Sequence, residues 1–171
     1  IEVVDGSERE IVNSIGRGRV DVALTLVERG GERLGEEVLF EEGYVAALPR
    51  THPQAGKSVL KAEDLTDSIM IVRRQCEALS ETSRYFTERG VRPFFAYRSS
   101  QDDRVMAMVA AGLGLTVVPE SHGAPGVWQA RLTGFDLTRK IGLMYSPDVN
   151  RTALDGSPAF QKFRELVGRR G

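Results

Sequence analysis

The stretch MVAAGLGLTVVPE, Met108 to Glu120, decides how this chain folds. It carries no charge before its last residue, holds glycines at 112 and 114, and stops at a proline. Val105, Met108, Val109 and Gly112 fall at i, i+3, i+4 and i+7, which predicts one face of a helix of about three turns. Gly112 suits a left-handed cap at the end of that helix. Leu115 to Val118 then read as a buried strand, and Pro119 ends it because proline has no N–H to donate to a ladder. The longest uncharged run, Val105 to Pro119, falls short of the roughly 18 residues that span a bilayer. A helix stacked on a sheet and followed by a central strand accounts for it without a membrane.

Working outward, Ala96–Ser99 reads as a strand, and Ser99 or Ser100 as the cap of a helix whose first turn holds Asp102 and Asp103. That completes one β-α-β unit. A second opens the chain, with Ile1–Asp5 as a strand and Gly6 as a turn. Ser7 followed by Glu10 has capping-box spacing, and Ile11, Val12 and Ile15 give the apolar face of a helix ended by Gly16 and Gly18. Val20–Leu24 then predicts a strand buried on both sides in a parallel sheet. Val38–Leu48 is strand-rich and ends in the turn Pro49–Pro53. A helical turn at Ala62–Leu65 precedes a strand at Ser68–Val72, and a helix runs from Ser80 to Gly90. Lys140–Tyr145 predicts a strand, and Ser157-Pro158 opens a last helix with Phe160, Phe163 and Val167 inward.

The bulk numbers exclude several classes. With 171 residues, 41% hydrophobic and 27% charged, the chain is ordinary globular material. Lys and Arg number 23 against 24 Asp and Glu, a net charge of −1, without the basic excess of a nucleic-acid binder. The single cysteine, Cys76, fits a reducing compartment, and with no export leader in view the chain reads as cytoplasmic. A strand at the very first residue, with no initiator Met, reads as a piece of a longer protein.

Three stretches carry a resemblance to a known family. They are Gly18–Leu24 (GRVDVAL), Leu48–Pro53 (LPRTHP), and Val109–Leu115 (VAAGLGL) with Val118-Pro119. In these motifs and in element order the chain resembles the effector-binding domain of LysR-type transcriptional regulators. That likeness implies an α/β fold of the periplasmic-binding-protein type II kind, two Rossmann-like lobes joined by two crossing segments. Residues 1–43 with 137–171 are expected as subdomain I and 44–136 as subdomain II. The first lobe is expected to lack its first strand and helix, about 25 residues at average element lengths. Half of the family's anion-binding cradle would then lie outside this sequence. The family's DNA-binding helix-turn-helix is also not in this sequence, so DNA is expected as a partner only through such a segment, in a homodimer or homotetramer of the parent regulator.

In such sheets ligands gather at strand ends and helix starts. The expected effector-binding residues are Ser7 and Glu8, Thr25 and Leu26, Arg73, Arg74 and Gln75, Ser99 and Ser100, and Val118 and Pro119. Helix-start N–H groups and an Arg fork favour an anion, although Glu8 works against one. For each Ser a plain N-cap is the stronger alternative, and of Arg73 and Arg74 one is expected in the cleft and the other in solvent. Cys76 has cations beside it but no resolving partner, so it reads as a packing residue or loop thiol. His52 and His122 lack metal-ligand spacing, no G-x-S-x-G occurs, and Gly112-x-Gly114 precedes a strand rather than a helix. The Asp102/Asp103 pair reads as helix-dipole compensation. No cofactor, metal or catalytic set is implied. The reading is a non-enzymatic sensor of a small organic, anionic effector, with an importer's solute-binding protein or a small α/β enzyme as rivals.

Overall fold

The computed structural model describes residues 2–29 and 34–168. The chain divides into two compact units, Ile1–Glu42 with Arg139–Gly171 and Gly43–Thr138. We call them units 1 and 2.

In unit 1, α1 (Glu8–Gly16) starts at Ser7, whose N–H and Oγ–H both donate to the Glu10 carboxylate. Its face buries Ile15 against Ala23 and Met144. Strand β1 (Val22–Leu26) runs antiparallel to β8 (Thr138–Tyr145), from Val22 opposite Tyr145 to Leu26 opposite Ile141. β8 also adjoins the first half of β2 (Gly35–Pro49). The two strands meet closely at Gly142, where an added Cβ would lie 2.2 Å from the Glu37 carbonyl oxygen. Asn150 caps α4 (Arg151–Asp155) by accepting from the Ala153 N–H. α5 (Pro158–Gly168) then buries Phe160 against Leu143 and Tyr145.

In unit 2 the second half of β2 pairs antiparallel with β6 (Thr116–Pro119) on one side and β7 (Val127–Leu132) on the other. The short β3 (Val59–Leu60) lies parallel to β7. β4 (Ile69–Arg73) pairs in parallel with β5 (Phe94–Ser99), and α2 (Leu79–Glu88) crosses between them. α3 (Asp102–Ala110) crosses from β5 to β6, and Leu115 exchanges backbone hydrogen bonds with Ile69 and Ile71 of β4. Alternation along β2 sends its side chains to opposite faces. Tyr44, Ala46 and Leu48 join Leu65, Phe86 and Leu115, whereas Val45 and Ala47 join Ile71, Val105, Val109 and Val118.

The stretch that opened the sequence analysis folds as read. α3 stops at Ala110, and Gly112 turns left-handed at φ 80°. The Gly112 N–H donates to Val109 O and the Leu113 N–H to Met108 O, the paired bonds that close a helix end. The second glycine has a different reason. An added Cβ on Gly114 would sit 2.7 Å from the Ile69 carbonyl oxygen, so only glycine lets this turn meet β4.

Several expectations are corrected. The described residues of the proposed first strand, 2–5, form no strand; Val3 and Val4 are 88% and 56% exposed and pair with no strand among the described residues. β1 is neither parallel nor buried on both sides, because β8 pairs it antiparallel at the sheet edge and leaves Leu24 44% exposed. Neither Ser99 nor Ser100 is the N-cap of α3; Gln101 is, and Ser99 Oγ accepts the Gln101 N–H just before it. Thr25, Leu26 and Arg73 end their strands rather than follow them. β3, β7 and α4 were not read from sequence.

Candidate functional site

In unit 1, Ser7 and Glu8 stand at the start of α1 and Thr25 and Leu26 at the end of β1. Glu8 and Leu26 line one cavity of about 420 Å³, with Arg9, Val12, Asn13, Arg29, Leu34, Glu36 and Met144. Ser7 and Thr25 are outside its lining. Glu8 is also ion-paired with Arg29 at 3.6 Å.

In unit 2 the parallel register brings Arg73 opposite Ser99 at the carboxyl ends of β4 and β5. The Arg74 N–H donates to Ser99 O at 2.8 Å, which locks the two strand ends together. Arg74, Gln75 and Ser100 are exposed and Ser99 half-buried. Val118 and Pro119 are buried, so they contribute backbone and packing there.

Arg73 is the exception among these positions. Its side chain is 4% exposed, yet it is charged, and it keeps that charge through dense contacts. Nε donates to Asp102 Oδ1 at 2.9 Å and Nη2 to Asp102 Oδ2. Nη1 donates to Val117 O and to Cys76 Sγ, each at 3.3 Å. On the far side, His122 Nε2 lies 3.5 Å from Asp102 Oδ2. Burial pushes the Asp102 carboxyl up, but the hydrogen bonds from His122 and Arg73 and their charges outweigh it, and the group is held far below the usual carboxylate range.

Cys76 is half-buried, and burial pushes its thiol up despite the Arg73 charge, which leaves it mostly protonated at neutral pH. Nearby, Tyr44 Oη donates to Glu77 Oε1 at 2.6 Å and ties β2 to the loop after β4. The cluster of Arg73, Asp102, His122 and Cys76 escaped the sequence reading as a unit. Asp102 was legible as a first-turn acid and Arg73 as a strand end, but only the β4–α3 packing joins them.

A cavity of unit 2, also about 420 Å³, lies at the opposite end of β4, between His52, Glu63, Asp67, Ile69 and Leu113. None of the residues read as effector ligands lines it. A small void of about 30 Å³ adjoins Arg73, Thr116 and Val117. Among the described residues no group of His, Cys, Asp or Glu is arranged to hold a metal ion. Nor is any described helix long and apolar enough to cross a membrane.

Comparison with known proteins gives one consistent result. The family description "LysR substrate binding domain" matches residues 1–171. The HTH-type transcriptional regulator TtuA of Agrobacterium vitis is 27% identical over 141 residues, 80% of this chain and 44% of that protein. The regulator CysL of Bacillus subtilis is 23% identical over 160 residues, 89% of this chain and 53% of that one. The chain therefore spans about half the length of the curated relatives it matches. Among solved structures, HinK, a LysR family regulator from Pseudomonas aeruginosa, superposes with a TM-score of 0.78 at 20% identity, over 99% of this chain and 59% of HinK. The effector binding domain of QuiR in complex with shikimate gives 0.68 at 18% identity, over 96% and 79%. These structural likenesses carry the periplasmic-binding-protein-like type II α/β fold.

Proposed function

We propose, from the premise that the chain belongs to the LysR substrate binding domain family, that it is the ligand-sensing part of a bacterial transcription regulator. A small organic anion enters a cleft between the units and binds without being transformed. The parent regulator works in the cytoplasm as a homodimer or homotetramer and touches DNA through a helix-turn-helix outside residues 1–171. Coupling requires only that the effector favour one arrangement of the regulator over another.

The observation that carries this reading is the gathering of strand ends and a helix start in unit 2. Arg74, Gln75, Ser100 and Gln101 stand exposed where β4 and β5 end and α3 begins. Exposed helix-start N–H groups and a free-standing arginine are the donors a small anion needs. In unit 1, Ser7 and Glu8 at the start of α1 and Thr25 and Leu26 at the end of β1 supply the facing group in the proposal. QuiR, a relative by fold, holds shikimate in its effector binding domain.

The test is a titration of the full-length protein with a panel of small organic acids that includes shikimate. Melting temperature reads binding, because a ligand held only by the folded state raises it. Recovery of the acid unchanged after incubation is expected and separates sensing from catalysis. Tight, salt-sensitive DNA binding by residues 1–171 alone, or turnover of the acid, overturns the reading.

A further inference from the structure

Arg73 is the fork that the sequence offers to an effector's carboxylate, and it already grips one. Its Nε and Nη2 both point at Asp102, and Nη1 is spent on Val117 O and Cys76 Sγ. A carboxylate from outside has no paired N–H edge left to engage. His122 Nε2, at 3.5 Å, is turned to the same Asp102 oxygen. Asp102 is also the first residue of α3, where exposed backbone N–H groups draw negative charge. Three separate anion-favouring features thus converge on a carboxylate that belongs to the chain itself.

We infer that Asp102 is a resident counter-ion that sets specificity by closing the Arg73 fork to effector carboxylates. The effector's charge is met by the outer donors, Arg74 and the exposed groups at Ser100 and Gln101, and what it turns toward Asp102 is an uncharged hydroxyl or amide N–H. The inference rests on the effector-binding role proposed above and narrows the ligands it admits. Asp102 suits the task because its side chain remains 37% exposed while Arg73 behind it is 4% exposed. Removing the carboxylate therefore opens a solvent route to a guanidinium that is otherwise shut away.

The experiment measures acetate against chloride at equal ionic strength, on melting temperature, in the full-length protein. Asp102→Ala is expected to lose stability in chloride and to regain at least half of that loss in acetate. Wild type is expected to show no preference between the salts. The double variant Arg73→Met/Asp102→Ala is expected to lose the acetate response, since the receiving group has gone. Should Asp102→Ala fail to fold in either salt, Asp102→Ser replaces it, which keeps a first-turn polar group but vacates the carboxylate's place, and is expected to prefer acetate. Equal acetate stabilisation of wild type and variants, or no acetate preference in any foldable Asp102 variant, overturns the inference. The readout is the difference between variant and wild type in acetate, so it is separable from the titration above. Acetate rescue with no acid bound by wild type would retain the resident counter-ion and remove the sensing role.

Discussion

Arg139 donates from Nε at 2.9 Å and from Nη2 at 2.7 Å to a single oxygen, Oε1 of Glu42. Glu42 closes the first segment of unit 1 and Arg139 opens the second, so the pair stands on both crossing strands, β2 and β8, at the unit boundary. The side chains are only 13% and 6% exposed.

Removing either partner breaks the two hydrogen bonds that join this largely buried pair. Glu42→Gln or Arg139→Met is expected to cost about 1.5–3 kcal/mol in urea unfolding, and the double variant Glu42→Gln/Arg139→Met less than the sum of the two. A double-mutant cycle with no coupling between the two positions would refute it.

Stability should depend on acid through Asp102. Its carboxyl is held below its unfolded value, so the fold favours the charged form. The contribution is complete above the unfolded value of about 3.9 and is lost as pH falls through the lower folded value. Asp102→Asn is expected to be less stable at neutral pH and to have a flatter acid limb; parallel limbs in urea midpoints against pH would contradict this.

Tyr145 controls the opposite limb. It is 2% exposed, and its Oη donates to Glu37 Oε2 at 2.7 Å. Burial first, then the hydrogen bond and charge of Glu37, push its hydroxyl up to about 12. The fold therefore retains the proton, and the stabilisation is full below about pH 10 and lost as pH rises from there towards the folded value. Tyr145→Phe is expected to lose about 1 kcal/mol at neutral pH and to shed that alkaline loss. Absorbance of tyrosinate against pH, in wild type and variant, checks it.

The glycines divide by what a methyl group would meet. Gly142→Ala drives a Cβ to 2.2 Å from Glu37 O and Gly114→Ala one to 2.7 Å from Ile69 O, both backbone atoms that cannot step aside. Each is expected to cost at least about 2 kcal/mol, as overpacking with backbone shifts does. Gly16, in the last turn of α1, has nothing within 4 Å, and Gly16→Ala is expected to gain up to about 1 kcal/mol. Melting temperatures in the reverse order would refute this.

What the sequence by itself determined was local. The 3.6-residue spacing from Val105 to Gly112, the cap at Gly112 and the proline at 119 act within a few residues of chain, so α3 and β6 were legible. The same holds for the cap at Ser7 and the turn at Ala62–Leu65. Tertiary structure decided everything that depended on which strand lay beside which. β1 pairs antiparallel because β8, more than a hundred residues away, is its neighbour, and residues 2–5 pair with no strand among the described residues. Arg73 faces Asp102 rather than solvent because α3 packs on the end of β4, and a strand end carries no mark of what will cover it. Periodicity and capping are properties of neighbouring residues, whereas pairing and the fate of a buried charge are set by contacts between distant ones.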